Sequence, residues 1–225
     1  TVNLPTKETV KVEIPVEDVT AGTVAILVKA DGTEEVLKTS YATVDGVVGA
    51  LSDGLSVKIV DSNKDFADVP GSFWGADAVD FATSHELFNG TSATSFSPNA
   101  AMTRGMIVTV LSRLEGVDTT KGSTWYEAGR QWSMENGISD GTNMEGSLTR
   151  EQLATMLYRY AGSPAVSGTI TGFVDAASVS DWALDAMSWA VENGIITGSN
   201  GKLNPQNNAT RAEVAAMLMR FIRQM

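Results

Sequence analysis

The spacing of apolar residues changes partway along the chain. Up to about residue 64 they alternate with polar ones or fall in short β-branched runs: TVKVEIPV (9–16), TVAILVKA (23–30), EEVLKTS (34–40) and LSVKIVD (55–61). A period of two predicts strands. Asp31-Gly32 stands between the second and third runs and marks a hairpin. We expect about five short strands, which a segment of this size folds into a small β-sandwich or a folded sheet.

Beyond residue 64 the period becomes helical and the pattern repeats. WGADAVDFATSHELFNG (74–90), WYEAGRQWSMENGISDG (125–141) and WALDAMSWAVENGIITG (182–198) align on their first tryptophan. A second aromatic follows seven residues later (Phe81, Trp132, Trp189) and a glycine sixteen later (Gly90, Gly141, Gly198). Each unit then reaches a Thr-Arg pair, at Arg104, Arg150 and Arg211, followed by a second apolar-periodic run. Each unit therefore predicts helix–loop–helix. The first helix of units two and three is expected to stop at Gly137 and Gly194, whereas unit one has His85-Glu86 there and lacks that stop. A helix pair of this kind buries one face, so three units, about 65–117, 118–163 and 164–225, are expected to share a core.

The Thr-Arg pairs carry the chemistry. Thr is a good N-cap, and Thr149 with Gln152 and Thr210 with Glu213 complete capping boxes; unit one has Met106 in that place and its box is broken. Arginine in a first helical turn works against the helix dipole by about 0.3–1 kcal/mol. Two readings explain its threefold use. One is a salt bridge to a neighbouring repeat, for instance to an aspartate that opens a unit. The other is capture of a carboxylate or phosphate by a guanidinium beside free helix N–H groups. Trp74, Trp125 and Trp182 are expected in the core, with stacking on sugar rings as the alternative. Trp132 and Trp189 are expected in the core outright. Asp68 and Asp175 suit capping or pairing better than sugar hydroxyls.

Composition excludes several classes. The 225 residues carry net charge −11, with 43% hydrophobic and 19% charged residues. Residues 1–64 hold six lysines against ten acids and residues 65–225 ten cations against seventeen, so neither part offers a footprint for nucleic acid or an anionic membrane. Cysteine is absent and His85 is the single histidine, which removes thiol chemistry, the usual zinc ligands and a Ser-His triad. DSNKDFADVPGS (61–72) imitates a calcium loop but has Phe66 at its sixth position and Ser72 at its twelfth. No metal, cofactor or catalytic residue is expected. With no initiator methionine and no signal peptide, the sequence is expected to be cut from a longer chain or precursor.

The repeated residues resemble S-layer homology (SLH) domains. Unit three carries FVD (173–175), Trp182-Ala183, GIITG (194–198), LNP (203–205) and TRAE (210–213). Unit one carries FADV (66–69), Trp74, FSP (96–98) and TR (103–104). Unit two lacks the opening motif and the Phe-x-Pro loop but keeps Trp125, NGISDG (136–141) and TREQ (149–152). The resemblance covers about 65–225. It implies an all-α pseudo-threefold assembly of three repeats, which together with the small β domain read at 1–64 makes an α+β chain. It also implies a secreted, non-catalytic module of Gram-positive cell-wall anchoring. Such a module binds a secondary cell-wall polymer, often a pyruvylated glycan, in grooves between repeats, with the Thr-Arg arginine as a principal contact. Candidate glycan contacts are Arg104, Arg150, Arg211, Asp68, Asp175, Trp74, Trp125 and Trp182. The grooves of Arg211 and Arg150, whose helix starts are intact, are expected to be the best preserved. The chain is taken as a monomer. A structural or protein-interaction module that has lost glycan binding is the main rival; a wall hydrolase would need a pair of carboxylates that nothing in the sequence nominates.

Overall fold

Six strands form among the described residues: β1 (Val10–Pro15), β2 (Thr23–Val28), β3 (Glu34–Val36), β4 (Tyr41–Ala42), β5 (Gly46–Leu51) and β6 (Ser56–Asp61). The computed structural model describes residues 1, 2, 4 and 8–225; Asn3, Pro5, Thr6 and Lys7 of the expected β domain lie outside it. The strands pair antiparallel in two three-stranded sheets, ordered β1-β5-β4 and β3-β2-β6. β2 lies against β4 and β5. Val24 and Ala25 from one sheet and Val47 and Leu51 from the other are fully buried, so the sheets enclose a small apolar core. The β2–β3 hairpin turns through Asp31-Gly32. Gly32 takes the left-handed conformation (φ 82°), its N–H donates to Lys29 O (2.9 Å), and Lys29 N–H donates to Thr33 O (2.8 Å).

The chain divides into two compact units, residues 1–98 with Met225 and residues 99–224. The first contains both sheets and helix α1 (Ala76–Ser84), which touches β2. His85, fully buried at the end of α1, stacks on Phe81 with ring centroids 4.0 Å apart. Its Nδ1 donates to Phe81 O (2.7 Å), and its Nε2 lies 3.3 Å from Ser40 Oγ. The single histidine is thus part of the packing between α1 and the sheets.

The second unit holds α2 (Arg104–Leu114), α3 (Glu127–Glu135), α4 (Arg150–Tyr160), α5 (Leu184–Glu192) and α6 (Arg211–Gln224). α2 packs on α3 and α4 on α5, so the second helix of one repeat seats against the first helix of the next. Trp132, Tyr160, Phe221, Trp189 and Tyr158 form a chain of ring contacts through α3, α4, α5 and α6. Trp189 and Phe81 are buried, while Trp132 is half-buried.

The α3 and α5 helices stop at Gly137 and Gly194, both left-handed. The expected lack of this stop in unit one is corrected. Glu86 itself takes the left-handed conformation (φ 57°), and Glu86 N–H to Thr83 O with Leu87 N–H to Ala82 O closes α1 the same way. The glycines sixteen residues after each tryptophan are contact positions. A Cβ on Gly90 or Gly198 would stand 2.6 Å from the ring of Phe66 or Phe173, the aromatic that opens its unit. Unit two has no such phenylalanine; the Met134 side chain takes that place beside Gly141.

Candidate functional site

The three Thr-Arg segments meet in the core of the second unit. Met102 N–H donates to Ala209 O (3.0 Å), Ala209 N–H to Leu148 O (2.8 Å), and Leu148 N–H to Met102 O (2.9 Å). This closed ring of three backbone hydrogen bonds is shielded by the buried Met102, Leu148 and Ala209 side chains. Bridges Ala101↔Thr210, Thr103↔Ser147 and Thr149↔Asn208 flank it. The ring fixes where α2, α4 and α6 begin.

It also decides what their N-termini can bind. The first N–H of each helix donates to a loop carbonyl: Arg104 N to Gly146 O (3.0 Å), Arg150 N to Asn207 O (3.0 Å) and Arg211 N to Ala100 O (2.9 Å). The second is likewise taken where Gly105 N meets Met144 O (2.6 Å) and Glu151 N meets Pro205 O (2.9 Å). The third goes to the threonine: Met106 N to Thr103 Oγ1, Gln152 N to Thr149 Oγ1, and Glu213 N to Thr210 Oγ1, each at 3.3 Å. The boxes at Thr149 and Thr210 are closed by Gln152 and Glu213, and that at Thr103 is not. The expectation of free helix N–H groups beside the guanidinium is therefore corrected. These donors are spent inside the protein.

Two of the arginines reach across to the next repeat. Arg104 donates through Nε to Thr142 O (3.0 Å) and through Nη2 to Ser139 Oγ (3.2 Å) and Asp140 Oδ1 (2.6 Å). Arg150 donates through Nε to Leu203 O (2.8 Å) and through Nη1 to Glu213 Oε1 (2.8 Å). Their side chains keep 12% and 11% of their surface exposed, and Arg211 is buried. Arg104 Nη1 and Arg150 Nη2 meet no protein acceptor among the described residues. The ion-pair partners are Asp140 and the capping-box Glu213, neither of them an aspartate that opens a unit. Asp140 is held below the usual aspartate range by the Thr142 N–H and by Arg104.

The opening aspartates hold loops instead. Asp68 accepts from Phe96 N, Ser97 N and Ser95 Oγ at 2.7–2.8 Å, which lower its pKa. Asp175 accepts from Leu203 N (2.8 Å) and Asn204 N (2.7 Å); burial raises its pKa, but these backbone donors outweigh it and the net shift is downward. The clamped loops carry left-handed Ser97 and Asn204. Unit two has left-handed Asn143 there without an aspartate of this kind.

Trp74, Trp125 and Trp182 are not core residues. They expose 62%, 52% and 57% of their surface. The reason lies in where the helices start. α1 begins at Ala76, α3 at Glu127 and α5 at Leu184, two residues after each tryptophan, so a helical period does not extend back to these rings. A serine stands two residues before each, at Ser72, Ser123 and Ser180. That threefold Ser-x-Trp spacing was a readable signal, and it matters because Ser180 binds the buried Glu151.

Residues 65–105 and 172–215 match the family model of the S-layer homology domain. Two segments of the chain are thus similar to S-layer homology domains. The matched segments hold unit one to the start of α2 and unit three to the first turns of α6. Among curated proteins, the chain is similar to an amylopullulanase of Thermoanaerobacterium thermosulfurigenes (29% identity over 69% of the chain) and to exoglucanase XynX of Acetivibrio thermocellus (25% over 80%). It is similar also to the S-layer protein sap of Bacillus anthracis (23% over 79%). It spans 9%, 18% and 24% of their lengths, respectively. The S-layer homology segments and S-layer relatives place the protein at the cell surface, secreted and associated with the wall. No helix among the described residues is long and apolar enough to cross a membrane.

Proposed function

We propose that residues 65–225 are a non-catalytic wall anchor. They comprise three helix–loop–helix repeats about a pseudo-threefold axis, and they hold an exported protein at the surface by binding an anionic secondary wall polymer. A pyruvylated glycan, with its sugar faces and carboxylate, suits the groups available. The observation that carries the reading is the exposure of Trp74, Trp125 and Trp182, three indoles at one repeat position. An exposed indole contributes little to folding, and its apolar face fits the C–H face of a sugar. Arg104 and Arg150 each keep guanidinium N–H groups that no protein acceptor takes among the described residues, the kind of donor a carboxylate requires. The ring at Met102, Leu148 and Ala209 supports the threefold arrangement. The relatives include proteins named as an amylopullulanase and an exoglucanase beside one named as an S-layer protein; these names share no reaction, which favours a non-catalytic role for the similar segment.

The test is co-sedimentation of the chain with Gram-positive wall sacculi, before and after mild acid removal of the secondary polymer. Binding is expected to disappear on stripping. At about 0.5–1.5 kcal/mol per aromatic contact, replacing all three tryptophans with alanine is expected to weaken binding by at least tenfold while leaving the melting temperature within a few degrees. Undiminished binding by that triple variant would refute the stacking role. Binding to neither preparation would favour a protein-interaction module, a reading to which the inward pairing of Arg104 and Arg150 lends weight.

A further inference from the structure

The residue after the Thr-Arg arginine differs among the repeats: Gly105, Glu151 and Ala212. Gly105 lies tight against the start of unit two, where a Cβ would come within 3.2 Å of Trp125 and of Tyr126. Glu151 occupies the matching position before unit three and is 4% exposed. Its carboxylate is fully engaged: Oε2 accepts from Ser180 N (3.0 Å) and Oε1 from Ser180 Oγ (2.9 Å). Ser123 is the equivalent of Ser180. It is exposed, and neither its N–H nor its hydroxyl is bonded to the protein among the described residues.

We propose that Glu151 plugs the groove beside Trp182 from within, so that of the Arg104 and Arg150 grooves only the one formed by Arg104, Gly105, Ser123 and Trp125 takes an external carboxylate. The proposal rests on the wall-polymer reading above. A ligand acid entering beside Trp182 meets donors already held by a protein carboxylate. It would have to displace Glu151 or share the site with it, and two carboxylates at such range repel. Beside Trp125 the equivalent donors, the Ser123 N–H and hydroxyl, carry no protein partner among the described residues; Gly105 places no carboxylate there and instead lets Trp125 and Tyr126 close to 3.2 Å of where its Cβ would stand. This reverses the expectation that the intact capping box makes Arg150 the better site: the helix start is sound, but the space before the next tryptophan is occupied.

The experiment is calorimetric titration of the full chain with a pyruvyl-ketal N-acetylhexosamine glycoside. It compares the parent chain with Glu151→Ala, Trp125→Ala and Trp182→Ala, and with Glu151→Ala combined with Trp182→Ala; circular dichroism confirms that each is folded. Glu151→Ala is expected to raise the number of binding sites by one, and the added Trp182→Ala to remove that site again. In the parent chain Trp125→Ala is expected to lose a site and Trp182→Ala to lose none. Binding by the parent chain with an unchanged count in Glu151→Ala, or loss of a site in Trp182→Ala alone, overturns the plug and leaves the anchor reading intact. Absence of binding by every form, together with no binding to sacculi, overturns the anchor reading and the plug with it.

Discussion

Glu213 performs two tasks, and they can be separated by one atom. Its Oε2 accepts from Thr210 N (2.8 Å), closing the capping box of α6, while Oε1 accepts from Arg150 Nη1 (2.8 Å). The two side chains are 29% and 11% exposed, so the pair is shielded only in part. Glu213→Gln keeps an oxygen for Thr210 N, as Gln152 already does for Thr149 N at 3.1 Å, and removes the charge. Charge-assisted hydrogen bonds contribute about 1.5–3 kcal/mol and neutral ones about 0.5–1.5. After a discount for screening at the glutamate, Glu213→Gln is expected to cost about 1 kcal/mol. Glu213→Ala also removes the box and leaves Arg150 with a single carbonyl partner, for a total of about 2–3 kcal/mol. The assay is urea unfolding followed by far-ultraviolet circular dichroism, which weights the helices. A double-mutant cycle with Arg150→Met isolates the pair and is expected to give a coupling of about 1 kcal/mol. A coupling indistinguishable from zero, or a cost for Glu213→Ala below about 0.5 kcal/mol, would refute the claim that this contact joins the second and third repeats.

Two further outcomes follow from the loops and caps. Asp68 and Asp175 have lowered folded-state pKa values. A depressed carboxylate contributes stability that is complete above its unfolded pKa and is lost as pH falls through its folded value, so the loss is expected on the acid side of about pH 4. Melting temperatures measured between about pH 6 and pH 2.5 should fall less steeply in Asp68→Asn and Asp175→Asn than in the parent chain; parallel curves would contradict the clamp. Glu86→Gly relieves a left-handed non-glycine residue at the end of α1, and its gain should exceed the loss of the long Lys38 contact at 3.7 Å. A stabilisation of about 0.5–1 kcal/mol is expected in thermal unfolding, and a lower melting temperature would show that the side chain contributes more than its backbone strain costs.

The elements that the sequence revealed are those with a clean period. β1, β2, β3 and β6 fall inside the alternating runs, and the helices inside the aligned units. β5 is hidden because GVVGAL has no polar alternation and two glycines, as fits a strand with no exposed position on either face. β4 is two residues long and carries no period. At the site, the threonine caps were legible because capping is local. The first tryptophans depart from the expected core position because a spacing of seven implies a shared face only if both residues lie in the α-helix, and each stands before it. Asp140 as a partner of Arg104 was not legible, since the pairing spans 36 residues and depends on how two repeats dock.

The cation at a helix start, repeated at Arg104, Arg150 and Arg211, then has a physical account. The dipole penalty on a first-turn cation comes from the partial positive charge of unsatisfied N–H groups. In α2 and α4 the first two are met by carbonyls of the following repeat and the third by the threonine cap, so much of that charge is already compensated before the side chain is placed. The guanidinium then extends to the next repeat, where it finds a loop carbonyl (Thr142 O or Leu203 O) and a carboxylate (Asp140 or Glu213). Lysine would keep the charge but not the fork that meets both acceptors at once. The position next to a helix N-terminus is thus favourable because of repeat-to-repeat contact, and under the wall-polymer proposal that contact leaves to a ligand one guanidinium arm and the exposed indole, with the serine two residues before it still available at Ser123 but taken by Glu151 at Ser180.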